Sequence, residues 1–319
     1  MSFLPLPKLL TFLLIGMALW MQAVPAGAAE RLTVLLDWFV NPDHGPLFVA
    51  LERGYFAERG LEVELIAPAD PNDPPKLVAA GKGDIAISYQ PQLHLQVNEG
   101  LPLTRIGTLV GTPLNSVVVL ADGPVESIAD LKGKKVGFSV GGFEDALLGA
   151  MLARHGLALT DVELVNVNFS LSPSLMAGHV DAVIGAFRNF ELNQMDIEGR
   201  PGRAFYLEEE GVPAYDELIL VAHSDRLEDP RLRAFLRAVE AGAQYLINHP
   251  DESWKLFIKG REELDDELNR RAWRDTLPRF ALRPAALDEG RYRRFATFLK
   301  ERGLIDRVPE TDTYARELK

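Results

Sequence analysis

The sequence predicts an α/β protein of two lobes, each built on a parallel sheet with helices on both faces. Three observations predict it. Short apolar runs alternate with helix-period segments, the alternation restarts once near mid-chain, and from Pro230 onward the chain reads as nearly all helix. A strand–helix–strand rhythm implies parallel pairing, because each crossover helix must cover the sheet it leaves.

The first unit has strand candidates at Leu32–Leu36, Val63–Ala67, Ile85–Ser88 and Leu103–Leu109, rich in apolar and β-branched residues. Between them, helices are expected at Gly45–Arg59, Pro74–Ala80 and Gln92–Glu99. The second unit has strand candidates at Ser116–Leu120, Lys135–Phe138, Val162–Val167, Ala182–Ala186 and Glu217–Ala222. Its helices are expected at Glu144–His155, Ser172–Ala177 and Phe190–Glu198. Four returning helices follow at Arg231–Asn248, Asp251–Ile258, Asp265–Leu277 and Asp288–Arg302. These units divide the chain into lobe I, 29–113 with 225–319, and lobe II, 114–224, with more than one crossing between them.

Residues 1–28 read as a cleaved export signal. Lys8 is the lone charge, Leu9–Val24 is almost wholly apolar, and Ala26-Gly27-Ala28 supplies small residues for cleavage. The competing reading, an uncleaved anchor, meets a run interrupted by Gly16 and Gln22 with no basic cluster after it. The net charge of −12 becomes −13 without Lys8. Such a balance disfavours nucleic acid and anionic lipid as partners. The chain has no cysteine, which excludes disulfides, thiolate metal sites, a Cys nucleophile and a lipid-modified Cys tether. A free periplasmic protein, acting as a monomer, is the expectation.

Ligands in open α/β sheets sit at the carboxyl ends of strands. After the first strand come Trp38, Asn41 and His44, a stacking face with hydrogen-bonding tips. The alternative is that Trp38 fills a gap and Asn41-Pro42 forms a turn. Tyr89 and Gln90 follow the third strand, Asn115 follows the fourth, and Phe187, Asn189 and Glu191 follow a later one, while Tyr215 precedes the last. Aromatics and amides at five strand ends exceed what loop composition predicts, and these ten residues are the candidate ligand contacts. Enzyme motifs are poor by comparison. Gly141-Gly142 runs into Phe143-Glu144-Asp145, a weak anion cradle because two carboxylates would repel a phosphate. There is no Walker loop, GxGxxG or HExxH, and the six His residues are scattered singly. Neither a metal nor a cofactor is expected.

The same segments carry a family resemblance. Leu36–His44 resembles the opening signature of the thiamine-pyrimidine family, which groups periplasmic pyrimidine-binding proteins with fungal pyrimidine synthases. Gly54-Tyr55-Phe56, Gly60–Val63 and Gly83-Asp84 are shared more broadly by nitrate and sulfonate binders. More specific are Tyr89-Gln90-Pro91, Pro113-Leu114-Asn115, Asp181–Gly185, Asn189 to Glu191, and Gly211-Val212-Pro213 with Tyr215 and Glu217. The resemblance implies a type II periplasmic binding protein fold, two Rossmann-like lobes closing over the ligand, and an ABC permease and ATPase as partners. It implies a heteroaromatic ring between Trp38 and Tyr89 or Phe187, with Glu191 accepting from an exocyclic amine. The implied ligand is a thiamine-precursor pyrimidine, either N-formyl-4-amino-5-aminomethyl-2-methylpyrimidine or hydroxymethylpyrimidine. Ser116, Phe190 and the Gly141–Asp145 loop depart from the pattern, and riboflavin binders share the family. The synthases would need a cofactor-holding Lys and a His where this chain has Ser88 and Gln92, and a cysteine motif that it lacks.

Overall fold

The computed structural model describes residues 29–318, so the export signal expected at 1–28 lies outside the described residues. In chain order the first unit contains β1 (Glu30–Leu35), α1 (Gly45–Glu52), β2 (Leu61–Ile66), α2 (Pro74–Ala79), β3 (Ile85–Ser88), α3 (Gln90–Asn98) and β4 (Leu103–Val110). The second contains β5 (Asn115–Leu120), β6 (Lys135–Phe138), α4 (Phe143–Arg154), β7 (Glu163–Asn166), α5 (Leu171–Met176), β8 (Ala182–Phe187), α6 (Glu191–Ile197) and β9 (Gly202–Tyr206). The chain then returns through β10 (Leu218–His223), α7 (Pro230–Asn248), α8 (Pro250–Ile258), α9 (Glu267–Thr276) and α10 (Glu289–Glu301).

Two five-stranded sheets result, ordered β2-β1-β3-β10-β4 and β7-β6-β8-β5-β9. Neither is wholly parallel, as the rhythm had implied. β10 runs antiparallel to β3 and β4, and β5 runs antiparallel to β8 and β9. The reason is the same in both sheets: the fourth position is filled by the strand that arrives from the other lobe. A strand entering by a direct crossing, with no covering helix, runs against its new neighbours.

This corrects the expected boundary. Leu218–His223 was assigned to lobe II, within 114–224, yet it pairs inside the first sheet. The second crossing therefore lies between Tyr206 and Leu218, beside the first at Gly111–Leu114. The expected helix Gly45–Arg59 also stops early. Gly54 takes φ 76°, a left-handed turn, before a short 3-10 turn at Ala57–Arg59. The strand β9 has no counterpart among the expected elements.

β3, inside the first sheet, is buried throughout, and so is the edge strand β4, whose Arg105 and Thr108 N–H groups donate to the Tyr314 and Pro284 carbonyls. The amphipathic α7 lays its apolar face, including Leu232, Phe235, Leu236 and Val239, over the first sheet. No helix among the described residues is long and apolar enough to cross a membrane.

The α1–α7 contact depends on Gly242. A Cβ there would lie 2.4 Å from the Pro46 carbonyl oxygen and 2.9 Å from the Ala50 Cβ. Gly→Ala in a helix interior ordinarily stabilises by about 0.5–1 kcal/mol. Here the clash should reverse that sign, and Gly242→Ala is expected to lower stability by about 1–3 kcal/mol. Urea unfolding measures it; an unchanged or higher midpoint would mean the helices are not packed this closely.

Candidate functional site

The carboxyl ends of β1, β3, β6 and β8 converge on one cleft between the sheets. Its lining is Asp37, Trp38, Asn41 and Asp43 from the β1–α1 loop, Tyr89 after β3, and Phe143 and Glu144 at the start of α4. Leu171, Gly185, Phe187, Phe190 and Glu191 complete it. The cleft encloses about 440 Å³ of empty space, part of it open to solvent.

The apolar wall is aromatic. Tyr89 stacks on Phe143, with ring centroids 4.9 Å apart and planes at 25°, and Phe187 meets Tyr89 edge-on at 6.4 Å. Trp38 reaches across to Phe169 of the other lobe at 4.6 Å. At the mouth, Phe39 is 40% exposed and lies 5.8 Å from Phe190.

The polar wall is acidic, and no Lys, Arg or His lines it. Asp37 is fixed twice: its Oδ2 accepts the Tyr89 hydroxyl at 2.8 Å, and its Oδ1 lies 2.9 Å from His44 Nε2. The Asn41 N–H donates to His44 Nδ1, which assigns the ring proton to Nε2, facing Asp37. Asp43 accepts from Asn189 Nδ2 at 2.7 Å, and burial raises its carboxyl to about 6. Glu191 Oε2 accepts the Phe187 N–H at 2.6 Å. Glu144 Oε2 accepts the Ser139 N–H at 2.8 Å. Burial without a neighbouring cation pushes both glutamates up to about 8.

Five of the ten expected contacts line the cleft: Trp38, Asn41, Tyr89, Phe187 and Glu191. The other five do not. His44 is fully buried behind Asp37, as described. Gln90 accepts the Asp216 N–H through Oε1 at 2.8 Å and sits 3.3 Å from His94 through Nε2, tying the β3–α3 corner to the second crossing. Asn115 Oδ1 accepts the Gly185 N–H at 2.9 Å. Asn189 joins the lobes through Asp43 and Thr276, both at 2.7 Å. The Tyr215 hydroxyl donates to Glu217 Oε2 at 3.1 Å. Asn41 lines the cleft yet also forms the turn, its Oδ1 accepting the Asp43 N–H and its Nδ2 donating to the Phe39 carbonyl. Ser88 and Gln92, at the synthase positions, are buried in a hydrogen bond to each other.

Sequence reasoning missed Asp37, Asp43, Phe143, Glu144, Leu171, Gly185 and Phe190. Some signal existed. The two aspartates lie inside the Leu36–His44 segment, and Phe143-Glu144 sits in the loop that departs from the family pattern.

The lobes touch on both rims. Asn72 Nδ2 donates to the Ser139 carbonyl and Asn72 Oδ1 accepts the Gly141 N–H on one side. On the other, Asn193 donates to Asp275 and Arg271 to Asp196. Among the described residues no group of three or more His, Cys, Asp or Glu could hold a metal ion.

Known proteins give this geometry a context. A family model described as NMT1/THI5 like matches residues 41–253. A Haemophilus influenzae protein whose name assigns it provisionally to thiamine biosynthesis is 55% identical over 94% of this chain and 96% of its own. The formylaminopyrimidine-binding protein of Halalkalibacterium halodurans is 36% identical over 76% of this chain and 74% of its own. The 4-amino-5-hydroxymethyl-2-methylpyrimidine phosphate synthase of Uromyces fabae is 30% identical, again over 76% and 74%. In shape, the alkanesulfonate-binding protein of Xanthomonas axonopodis pv. citri bound to MOPS superposes with a TM-score of 0.71. It covers 90% of this chain and 99% of that one at 16% identity, a likeness that bears on the fold alone. With the matched span covering most of the described residues, the chain belongs to the NMT1/THI5-like family and has the type II periplasmic binding protein fold.

Proposed function

We propose that this chain is the periplasmic solute-binding protein of an ABC importer and captures a thiamine-precursor aminopyrimidine. The ligand is N-formyl-4-amino-5-aminomethyl-2-methylpyrimidine or hydroxymethylpyrimidine. The observation that carries the proposal is the cleft lining: an aromatic wall opposite four carboxyls, with no cation. A flat ring fills such a space by stacking, and its amino groups supply the donors that buried carboxyls need. The relative named for formylaminopyrimidine supports that class. The synthase names among the relatives favour a second reading, an enzyme. Neither a cofactor-holding Lys nor a Ser, Thr, Cys or His lines this cleft for it to act through. The protein works as an exported monomer and delivers its ligand to a permease and ATPase.

Trp38 forms one side of the stack. Trp38→Ala should weaken binding of hydroxymethylpyrimidine by about 1–3 kcal/mol, the range for base–aromatic stacking. Calorimetry checks it, and an unchanged affinity would make Trp38 a plug between the lobes.

Glu191 accepts from the exocyclic amine as a carboxylate. Its carboxyl, raised to about 8, holds a proton in the free protein at pH 7. Binding must release that proton, so affinity should rise with pH between 6 and 8, by up to ~tenfold per unit. Protons released can be counted by calorimetry in buffers of different ionisation enthalpy. Glu191→Gln should flatten the slope and lose more affinity for aminopyrimidines than for riboflavin. A wild-type slope that is flat or falling removes the carboxylate from this role.

Closure follows from where the contacts lie. Trp38, Asn41 and Tyr89 come from the first sheet's lobe, Phe187 and Glu191 from the second's. A ligand touching both favours the closed state by its differential affinity. Small-angle scattering should show a smaller radius of gyration at saturating ligand, whereas an unchanged value would mean a preformed cleft.

A further inference from the structure

The loop between β6 and α4 has the makings of an anion site. Successive backbone N–H groups at Ser139, Val140 and Gly141 precede a twelve-residue helix, and Gly142 takes φ 91°. Such a nest at a helix N-terminus ordinarily holds a phosphate or sulfonate. Here two of those donors are already taken. Ser139 N–H donates to Glu144 Oε2 at 2.8 Å, and Gly141 N–H donates to Asn72 of the facing lobe at 3.0 Å.

The carboxyl is built into place. Glu144 is 3% exposed and lines the cleft. Opposite it, Gly185 adopts φ 95°, and a Cβ there would lie 2.5 Å from Glu144 Oε1 and 2.8 Å from Oε2. Only a glycine leaves room for this side chain. Asn115 Oδ1 holds the Gly185 N–H in turn, so the second sheet fixes the gap.

We infer that Glu144 is a specificity-determining residue that fills the cleft's own anion cradle and so restricts the ligand to uncharged or cationic pyrimidines, excluding phosphate esters and sulfonates. The exclusion has two parts. The side chain occupies the Ser139 N–H and fills the space an anion would take, which it does whether or not the carboxyl carries a proton. When ionised, it also repels the anion directly, beside Asp37, Asp43 and Glu191 in the same lining. A phosphate entering would be stripped of water among four carboxyls with no cation in the lining to receive it.

This inference rests on the proposed pyrimidine-binding function. The experiment measures calorimetric affinities of 4-amino-5-hydroxymethyl-2-methylpyrimidine and of its phosphate ester, for wild type, Glu144→Gln and Glu144→Ala. Thermal melting confirms that each variant is folded. The readout is the ratio of the two affinities within each protein, so a general loss of binding does not mimic the effect. Wild type should prefer the unphosphorylated compound by at least ~100-fold, the order that one buried, unpaired charge produces. Glu144→Ala, which frees the Ser139 N–H and removes the carboxyl, should narrow that ratio at least tenfold. Glu144→Gln, which cannot ionise and keeps that donor occupied, should narrow it less. A ratio unchanged in both variants, or a wild type that binds the ester as tightly as the alcohol, overturns the inference and leaves the pyrimidine function standing. A wild type that binds neither compound, nor the formylated amine, overturns that function and this inference with it.

Discussion

Two crossings run side by side beneath the cleft, and a single buried carboxyl fastens them together. Glu217, at the threshold of β10, accepts the N–H groups of Leu114 at 2.5 Å and Asn115 at 2.9 Å through one oxygen, with the Tyr215 hydroxyl at 3.1 Å. The two N–H donors belong to the outgoing crossing and the acceptor to the returning one. Burial raises this carboxyl to about 7, and its other oxygen has no hydrogen-bond partner. The neighbouring Asp216 extends the fastening. Its N–H meets Gln90, and its carboxylate receives Thr108 and Arg291. The corner that presents Tyr89 to the cleft is therefore set by the residues that join the lobes. A group left unpaired in such a network costs about 1–3 kcal/mol.

The cleft above follows the same logic of acids held in place. Glu144 and Glu191 each have one oxygen committed to a backbone N–H, and Asp37 has both committed to side chains, which orients all three. None has a cation to compensate it within the lining. In the empty cleft Glu144 and Glu191 keep protons well above the usual carboxylate range. Relative to an unfolded chain, they favour folding at low pH and lose that contribution as pH climbs through about 8. A ligand bearing N–H groups relieves this stress, and a ligand bearing acceptors adds to it. Selectivity here comes from what the site lacks as much as from what it offers.

Much of the fold was legible because apolar periodicity records which residues face a core. Every expected strand exists, and the helices from Pro230 onward fall close to their expected places. Periodicity does not record which sheet a strand joins. Leu218–His223 reads identically in either lobe, and only its pairing with β3 and β4 reveals its place. The strand β9 escaped because Gly-Arg-Ala-Phe-Tyr is a half-buried edge with little alternation. In the site, residue type revealed hydrogen-bonding capacity but not direction. Gln90, Asn115 and Asn189 spend that capacity on the scaffold. Asp37, Asp43 and Glu144 escaped because an acid in a loop ordinarily faces water, and residue type alone does not tell a solvated one from one turned inward.

The position of β10 has a consequence for how the chain matures. The second sheet draws all its strands from 115–206, so it can assemble once that stretch is available. The first sheet has a gap between β3 and β4 that only residues 218–223 can fill. Until then both strands keep a bare edge facing the gap, and their pairing carries the loop-closure entropy of an entire intervening lobe. Completion of the first sheet therefore waits on chain that lies beyond the whole of the second lobe.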